Sequence, residues 1–410
     1  MSLQSPTQVE LSFGEQRLAL NVSENSLCLV KSDVPSMADL TTAIKTACDV
    51  PLDFSPLPQA IFAGDKVALA VDTNIPRIQD FILALVKYLI SNGTSPDDLS
   101  VVLSNDLFGV REKLVSLLPP NCNVKVHNPD DTVELAYIGA EESAEPIYIN
   151  RTLVDADVVI PCVICRQVDS FGYGGPGGIV PDFVDRKTQK RFESQFHQGP
   201  SSASSDYGNT TAYTLGVLAN VVVVPGADDS IVAIFAGEPN KTMASARERL
   251  IEALPNAGTN AYELVIAQVD GDQTQQTWEN VARAILTAQA SVSKTGSIVV
   301  ISQLETRVGG ALTILAGIDS EDKMSRRITE STLANSAVAR TLLDVRSRNP
   351  IFLLSRLTRE PIESIGLGFV ENLKDVERLS KKVDSCLVLG SAQYRSRFEA
   401  TSSLSASKKA

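Results

Sequence analysis

Short apolar runs alternate with helix-like stretches along most of this chain. Residues 66–71 contain the apolar run VALAV, and residues 81–91 carry apolar side chains at helical spacing. A second series of the same kind starts near residue 258, where residues 262–267 precede a helix-like stretch at 277–288. Such alternation is typical of parallel sheets with helices on both faces. We therefore predict an α/β fold with two domains, mainly parallel sheets, and an interdomain cleft.

A stretch that favours a turn separates the two series. Residues 255–258 read Pro-Asn-Ala-Gly, a composition that interrupts regular structure. We place a domain boundary there, which gives an N-terminal domain of residues 1–256 and a C-terminal domain of residues 257–400. The remaining residues, 401–410 (TSSLSASKKA), are mostly small and polar, and we expect this tail to be disordered.

Charge and composition exclude several classes of partner. The 410 residues carry a net charge of −12 without a cluster of lysine and arginine, so we expect no nucleic-acid binding. The apolar runs are too short to span a membrane and no signal-peptide pattern is visible, which predicts a cytoplasmic protein without a membrane partner. The six cysteines are scattered, which favours free thiols. Cys162 and Cys165 have C-x-x-C spacing, but within a strand they would face opposite sides and not form a zinc site.

Local patterns predict several connections. Alternating apolar and polar residues at 9–21, and two apolar runs within 219–235, predict two β-hairpins. Asp80 precedes the helix predicted at 81–91, and we expect it to be the N-cap of that helix. Residues 199–209 are rich in serine, and we interpret them as a loop.

A glycine-rich turn, FGYGGPGGIVP at residues 171–181, follows an apolar strand and precedes a helical stretch. Glycine permits positive φ, so the fold alone could require this turn. The same backbone could instead bring its N–H groups close to a small anion. The pattern is not a P-loop, because no Gly-Lys-Ser/Thr follows. The candidate binding residues are Gly174, Gly175, Gly177 and Gly178, together with Asp72, Arg77 and Lys187.

Polar loops follow predicted strands in both domains. In open α/β sheets, ligands bind beyond the carboxyl ends of the strands. We expect four such loops to line the cleft, and they are residues 72–77, 104–109, 166–181 and 270–277.

Several of these segments resemble the lactate racemase family, and the resemblance covers nearly the whole chain. Asp72 and Pro76 match the family's loop Asp-His-Thr-Arg-Pro, and residues 172–175 match its glycine loop. Residues 187–188 match the helix that follows, and residues 274–282 match a later glutamine-rich segment. The resemblance implies an isomerase of small hydroxy acids. In that family a hydride moves from the substrate's α-carbon to a tethered nickel-pincer nucleotide and returns to the other face.

Residues on which the family's chemistry depends are replaced here. Ile75 stands where the family has a carboxylate-binding arginine, and Gly177 or Gly178 stands where a lysine tethers the cofactor. The sequence contains only two histidines, His127 and His197, whereas the family uses two histidine bases and a histidine metal ligand. We therefore expect no tethered nickel-pincer cofactor and no metal site. The residues at the other family positions are Asp106, Gln167 and Glu193 for catalysis or metal binding, and Ala282 for a second lysine.

Three functions are compatible with these residues, and the oligomeric state is left open. The first is a racemase-like relative with a degenerate active site. The second is a non-catalytic protein that binds a small carboxylate or another small anion. The third is a divergent enzyme that uses carboxylates in the same cleft. Such acids are also common in solvated loops and at helix starts, and the candidates are Asp106, Asp169, Asp182, Asp185 and Glu193.

The ring side chains have their own alternatives. We interpret His127 as a loop residue rather than a ligand. His197 lies one helical turn beyond Glu193 and would project near the same face. Trp278 and Tyr173 could line the cleft, and core packing is an equally good interpretation of Trp278.

Overall fold

The computed structural model describes residues 8–395 apart from 107, 141–143, 167–174, 198–201, 259 and 318–319, and only the backbone of residues 195–197 and 202–207. The predictions made for Gln167, Asp169, Tyr173, Gly174 and the tail 401–410 therefore lie outside the described residues, as does the side chain of His197.

Most strands belong to two six-stranded sheets. The first sheet has the order β11-β10-β9-β4-β5-β6 and is parallel except for the β10–β11 pair. The second sheet has the order β15-β14-β13-β12-β16-β3 and is parallel throughout. The strands are β1 (Gln8–Phe13), β2 (Gln16–Asn21), β3 (Leu27–Leu29), β4 (Val67–Val71), β5 (Leu99–Leu103), β6 (Asn123–Val126), β7 (Leu135–Ala140), β8 (Pro146–Asn150), β9 (Val158–Ile164), β10 (Asn220–Pro225), β11 (Ile231–Gly237), β12 (Tyr262–Gln268), β13 (Val292–Ile301), β14 (Ile351–Leu354), β15 (Gly368–Val370) and β16 (Cys386–Leu389).

Helices cover the sheets and complete their cores. In the first sheet, Leu69 packs in the core that includes α1, α2 and α7, while Ala68 and Ala70 pack on the opposite face with Phe192 of α5. This period of two follows from the alternation of side chains along a strand, and the predicted α/β fold class is confirmed. The helices are α1 (Leu40–Asp49), α2 (Ile78–Ser91), α3 (Val110–Leu117), α4 (Arg151–Val154), α5 (Arg186–His197), α6 (Ser202–Thr214), α7 (Pro239–Ala253), α8 (Trp278–Gln289), α9 (Glu321–Glu330), α10 (Ser336–Arg346), α11 (Arg359–Ser364) and α12 (Leu373–Ser380).

The N-terminal segment packs on the second sheet rather than the first. Strand β3 pairs with β16, so that Cys28 lies opposite Val388. Leu11 and Leu20 of the β1–β2 hairpin pack against Ile266 of β12 in one core. The division of the chain at residue 256 stays a prediction, and this early segment contributes an edge strand and a covering hairpin to the later sheet.

Both predicted hairpins are confirmed, whereas two other local predictions are wrong. β1 pairs with β2 and β10 with β11, each antiparallel. The second helix begins at Ile78 with Arg77 as its N-cap, so Asp80 lies in the first turn, where it accepts hydrogen bonds from Arg77. The predicted serine-rich loop is helical from Ser202 onward. Serine and glycine favour a helix only weakly, but packing of α6 against the glycine turn overrides that preference.

None of the helices in the described part of the chain combines the length and the apolarity needed to cross a bilayer.

Candidate functional site

A cleft of about 380 Å³ lies between elements of the two sheets. From the first sheet it is lined by Ser104 and Asn105 after β5 and by His127 after β6. From the other side it is lined by Glu279 of α8 and by residues 331–338, which lead into α10. The cleft therefore lies beyond the carboxyl ends of first-sheet strands, where open α/β sheets bind ligands.

Helix α5 supplies most of the charge in this cleft. Arg186, Gln189, Lys190 and Glu193 all line it. Their spacing of three and four residues places them on one face of the helix. Lys187 belongs to the same helix but is exposed to solvent and is not one of the residues that line the cleft. The face of α5 that meets the cleft thus presents two cations and one carboxyl group.

Asp185 fixes the start of α5. Its Oδ1 accepts hydrogen bonds from the backbone N–H groups of Lys187 and Thr188 at 2.9 and 3.1 Å, and its Oδ2 accepts one from the Thr188 hydroxyl at 2.6 Å. This arrangement is an N-cap, which satisfies amide groups that the helix leaves without partners. Asp185 therefore orients α5, while Asp182 is one of the residues that line the cleft.

Two side chains of α5 reach across the cleft to the other half of the protein. The Ser336 hydroxyl donates a hydrogen bond to Glu193 Oε2 at 2.7 Å, and Lys190 Nζ donates to the backbone oxygen of Ser331. Burial raises the pKa of the Glu193 carboxyl, while the Ser336 hydrogen bond and the charges of Lys190 and Arg186 oppose that rise. Glu193 is therefore a carboxyl group in the cleft that holds a proton more tightly than an exposed glutamate.

The first turn of α10 forms the opposite wall. Ser336, Ala337 and Val338 line the cleft, and Asn335 before them has a left-handed backbone with φ of 64°. Asn335 is the N-cap of α10. Its side chain makes no capping hydrogen bond to the described residues of the helix. The amide groups of a first helical turn have no partner within the helix and carry partial positive charge. Arg186, which also lines the cleft, pairs with Asp130 at 2.8 Å.

His127 lies at the edge of the cleft but is held by the fold. Its Nε2 lies 3.0 Å from the backbone oxygen of Val184, and its Nδ1 lies 3.4 Å from Asn150 Nδ2. Burial lowers the pKa of the imidazole to about 4. At neutral pH the ring is uncharged, with Nε2 as donor and Nδ1 as acceptor. Both ring nitrogens are thus engaged within the first half of the chain.

Asp72 forms a buried ion pair that residue patterns alone do not predict. Its Oδ1 accepts hydrogen bonds from the backbone and side chain of Asn74 at 2.9 and 2.8 Å, and its Oδ2 lies 3.1 Å from Arg166 Nη2. Both side chains of the pair are almost fully buried. Arg166 follows β9 and Asp72 follows β4, and these strands are neighbours. In the sequence, each of these residues is visible as a charged residue directly after an apolar strand. That pattern identifies them as an ion pair only once the order of the strands is known.

Two other predicted residues stabilise local structure. Arg77 donates to Asp80 and to the backbone oxygen of Met37 at 3.2 Å. Asp106 accepts a 3.3 Å hydrogen bond from the backbone N–H of Arg111 near the start of α3. Neither residue is among the described residues that line the cleft. Of the residues at the family's catalytic positions, the structure therefore brings Glu193 into the cleft, and Gln167 lies outside the described residues.

The described glycines of the turn make close packing contacts. A Cβ atom on Gly177 would lie 2.5 Å from the Cβ of Ala212 in α6. Gly178 has φ of 65°, and a Cβ there would lie 2.9 Å from the Cβ of Pro161 in β9. Gly175 is buried with φ of 126°. These contacts give Gly177 and Gly178 a structural role, and an anion-binding role for the turn's backbone stays a prediction.

Trp278 and the two spaced cysteines belong to the protein core. The Trp278 indole is buried and donates a 2.9 Å hydrogen bond to the backbone oxygen of Thr306, which confirms the core interpretation. Cys162 and Cys165 are buried free thiols, and burial raises the pKa of Cys165 to about 12.

Comparison with known proteins identifies proteins that this chain is similar to. Residues 13–204 match the family model described as the lactate racemase N-terminal domain. This match assigns the N-terminal part of the chain, just under half of its length, to the lactate racemase family. A search of curated proteins finds no match.

Two solved structures share the fold over most of the chain. The lactate racemase apoprotein from Thermoanaerobacterium thermosaccharolyticum is 14% identical, with a TM-score of 0.75, and the match covers 95% of this chain and 99% of that one. A Thermotoga maritima protein determined by the Northeast Structural Genomics Consortium is 12% identical, with a TM-score of 0.60 and coverage of 87% and 96%. At these identities the likeness establishes the fold alone.

The residues present here do not fit the tethered nickel-pincer nucleotide of the lactate racemase family. Gly177 and Gly178 carry no amine and are packed against protein atoms. Ala282, at the position of a second lysine, is buried in the core of the second sheet. His127 uses both ring nitrogens within the fold. Across the described residues, no three His, Cys, Asp or Glu side chains come together in an arrangement that could hold a metal ion.

Proposed function

We propose that this lactate racemase family member binds a small carboxylate or another small anion in the cleft between α5 and α10, without a tethered nickel-pincer cofactor. The proposal rests on the lining of this cleft, which brings together the cations Arg186 and Lys190 of α5 and the first turn of α10, a turn without a side-chain cap from the described residues. Cationic side chains and free backbone N–H groups are the usual partners of small anions. We also propose that the protein is cytoplasmic, as the sequence predicts.

The cationic groups and the carboxyl group of the proposed site have separate roles. Lys190 and the first turn of α10 attract the anionic group of the ligand. Glu193 lies on the same face of α5 and has a raised pKa, so in its protonated form it donates a hydrogen bond to a ligand oxygen. A hydroxy acid carries both a carboxylate and a neutral oxygen, and it matches this pair of environments.

Binding is tested by calorimetric titration with lactate and phosphate, with lactamide as the uncharged control. We expect binding of at least one anion and none of lactamide. Lys190→Gln should raise the Kd about tenfold, because it removes a cation from the cleft wall.

Lys187→Gln is the matched control, since Lys187 lies on the same helix but away from the cleft. It should leave the Kd unchanged. Equal losses in the two variants, or no binding of either anion, would contradict the proposed site.

The absence of a tethered cofactor has its own test. The protein is co-expressed with the enzymes that make the nickel-pincer nucleotide and is then analysed by intact-mass spectrometry and nickel quantification. We expect the unmodified mass and less than stoichiometric nickel. A covalent adduct with one nickel per chain would overturn this part of the proposal.

A divergent enzyme is the second candidate, and the environment of Glu193 favours it. A half-buried carboxyl group with a raised pKa, placed in a cleft, is a common feature of general acid–base catalysts. If turnover of a hydroxy acid is detected, Glu193→Gln should abolish most of it, whereas Asp106→Asn should have little effect because Asp106 accepts a hydrogen bond from the backbone near α3. Turnover that survives Glu193→Gln would exclude this role.

A further inference from the structure

The turn between β10 and β11 places a carboxyl group against the second sheet. Asp228 and Asp229 both have left-handed backbones, with φ of 53° and 59°, and the Ser230 N–H closes the turn on the Ala227 oxygen at 3.1 Å. Asparagine and glycine adopt this pair of conformations most readily. Asp229 meets the loop after β12, since a Cβ built on Gly271 would lie 3.1 Å from Asp229 Oδ1.

The facing loop is also acidic. Asp270 is buried, and its carboxyl group accepts hydrogen bonds from the Ser391 N–H at 2.6 Å, the Ser391 hydroxyl at 2.8 Å and the Gln268 amide at 2.6 Å. Asp272 caps the short helical turn that follows by accepting a hydrogen bond from the Thr274 N–H. Asp229 Oδ1 is itself buried, and within the described part of the chain no hydrogen-bond donor reaches it. The contact therefore brings three carboxyl groups together, and the Asp229 group is incompletely compensated.

The electrostatic surroundings of Asp229 favour its neutral form. Burial and the charges of Asp272 and Asp270 together raise its pKa to about 7, although the Asp272 backbone amide and Arg77 act in the opposite direction. Asp229 and Asp270 also line a cavity of about 220 Å³. The titratable and charged groups that face Asp229 are Asp228 on its own turn, Asp270 and Asp272 on the loop after β12, Arg17 on the β1–β2 hairpin, Arg77 at the start of α2, and Tyr394.

We propose that the contact between the β10–β11 turn and residues 270–272 is controlled by a proton on Asp229. The neutral carboxyl group packs against Gly271 without repulsion. The ionised carboxylate is repelled by Asp270 and Asp272 and has no donor for one of its oxygens, so the turn separates from the loop. An acid whose pKa is raised in the closed form stabilises that form at low pH and loses the contribution as pH rises through its folded value. The contact therefore loosens as pH rises from the ordinary aspartate pKa near 4 to the raised value near 7, and it changes little above that.

The test is hydrogen–deuterium exchange of the full chain at pH 6 and pH 8, with protection factors corrected for the intrinsic exchange rate. In the wild-type protein, protection of residues 226–230 and 270–276 should fall about tenfold, the factor by which an acid with a pKa near 7 shifts such an equilibrium over this interval. Asp229→Asn keeps the size of the side chain and cannot ionise. This variant should show no fall between the two pH values.

Two neighbouring variants provide further tests. Asp272→Asn removes a like charge, and it should move the midpoint of the transition to lower pH. Asp228→Asn removes the charge of the exposed neighbour on the same turn, and it should keep the tenfold fall and move the midpoint less than Asp272→Asn does. Equal protection at both pH values in the wild type, or a tenfold fall that persists in Asp229→Asn, would overturn the proposal. If Asp229→Asn does not fold, an unchanged midpoint in Asp272→Asn would overturn it instead.

Discussion

His127 and Asp229 are both largely buried, and burial changes their pKa values in opposite directions. Removal from water disfavours the charged form of each group, so the pKa of the histidine falls to about 4 and that of the aspartate rises to about 7. Neither side chain has a fully compensating partner of opposite charge. At neutral pH the protein therefore contains a neutral histidine and an aspartate close to its point of titration.

Replacing His127 should change the response of stability to acid. A histidine whose folded pKa is lowered stabilises the fold above its unfolded value of 6.5, and the contribution is lost as pH falls toward about 4. Relative to His127→Gln, the wild-type protein should lose about 3 kcal/mol of unfolding free energy over this interval, since one pKa unit corresponds to about 1.4 kcal/mol. Urea unfolding at pH 7 and pH 4 measures the difference. An imidazole that titrates near pH 6.5 by NMR would refute the prediction.

Adding one methyl group at Gly177 should destabilise the protein. In Gly177→Ala the new Cβ would meet Ala212 Cβ at 2.5 Å, so α6 must shift. We expect a loss of about 1–3 kcal/mol, the usual cost of overpacking, measured by thermal and urea unfolding. Gly139→Ala is the matched control, because a Cβ there has no described neighbour within 4 Å. If the two variants were equally stable, the close packing of α6 on the glycine turn would be in doubt.

At the scale of elements, α5 and α10 are connected by side-chain contacts across the cleft. Glu193 accepts a hydrogen bond from Ser336, and Lys190 donates one to the backbone oxygen of Ser331. Both residues of α5 also belong to the face proposed to meet the ligand. The side chains of α5 that connect the two walls of the cleft are therefore the same ones that we propose meet the ligand.

A double-mutant cycle measures the link between these two helices. Ser336→Ala and Glu193→Gln should each destabilise the protein, with a coupling energy of about 1 kcal/mol, the typical contribution of one such hydrogen bond. Ser194→Ala is the control for α5, because Ser194 is exposed and its hydroxyl bonds to the Lys190 oxygen within the helix. Its coupling to Ser336→Ala should be close to zero. A coupling energy of zero between Glu193 and Ser336 would show that this hydrogen bond does not link the two helices.

The sequence predicts those elements whose signal is local. Apolar runs such as VALAV at 67–71 identify buried strands, and alternating patterns identify both hairpins, since neighbouring residues decide these structures. Helix α6 is missed because packing against Gly177 stabilises a sequence of low helix propensity. Arg166 is missed for a related reason: its pairing with Asp72 depends on β4 lying next to β9, which no local pattern encodes.

At the scale of the whole molecule, the last described residues connect the two halves. The Tyr394 ring is buried in the core of the first sheet, and its hydroxyl donates a 2.7 Å hydrogen bond to Gln275 Oε1. Gln275 Nε2 in turn donates to the Asn74 oxygen at 3.1 Å. Arg395 donates hydrogen bonds to backbone oxygens of Leu29 and Pro255. Residues 390–395 thus contact the first sheet, the second sheet and Pro255 in the segment that joins them.

Truncating Tyr394 should weaken cooperativity as well as stability. Tyr394→Phe loses one hydrogen bond and should cost about 1 kcal/mol. Tyr394→Ala also leaves a large cavity and should cost about 3–5 kcal/mol. In scanning calorimetry the wild-type protein should unfold in one transition, and Tyr394→Ala should broaden or divide it. A single sharp transition in Tyr394→Ala would mean that other contacts are sufficient to couple the halves.

The pairing of β3 with β16 has a consequence for synthesis on the ribosome. The edge strand of the second sheet, Leu27–Leu29, precedes every strand of the first sheet in the chain, whereas its partner, Cys386–Leu389, follows all of them. All strands of the first sheet are made in between and can associate as they leave the exit tunnel. The nascent chain must therefore keep β3 unpaired until the whole first sheet and most of the second have been made, and a product that terminates before β16 would expose that strand to aggregation.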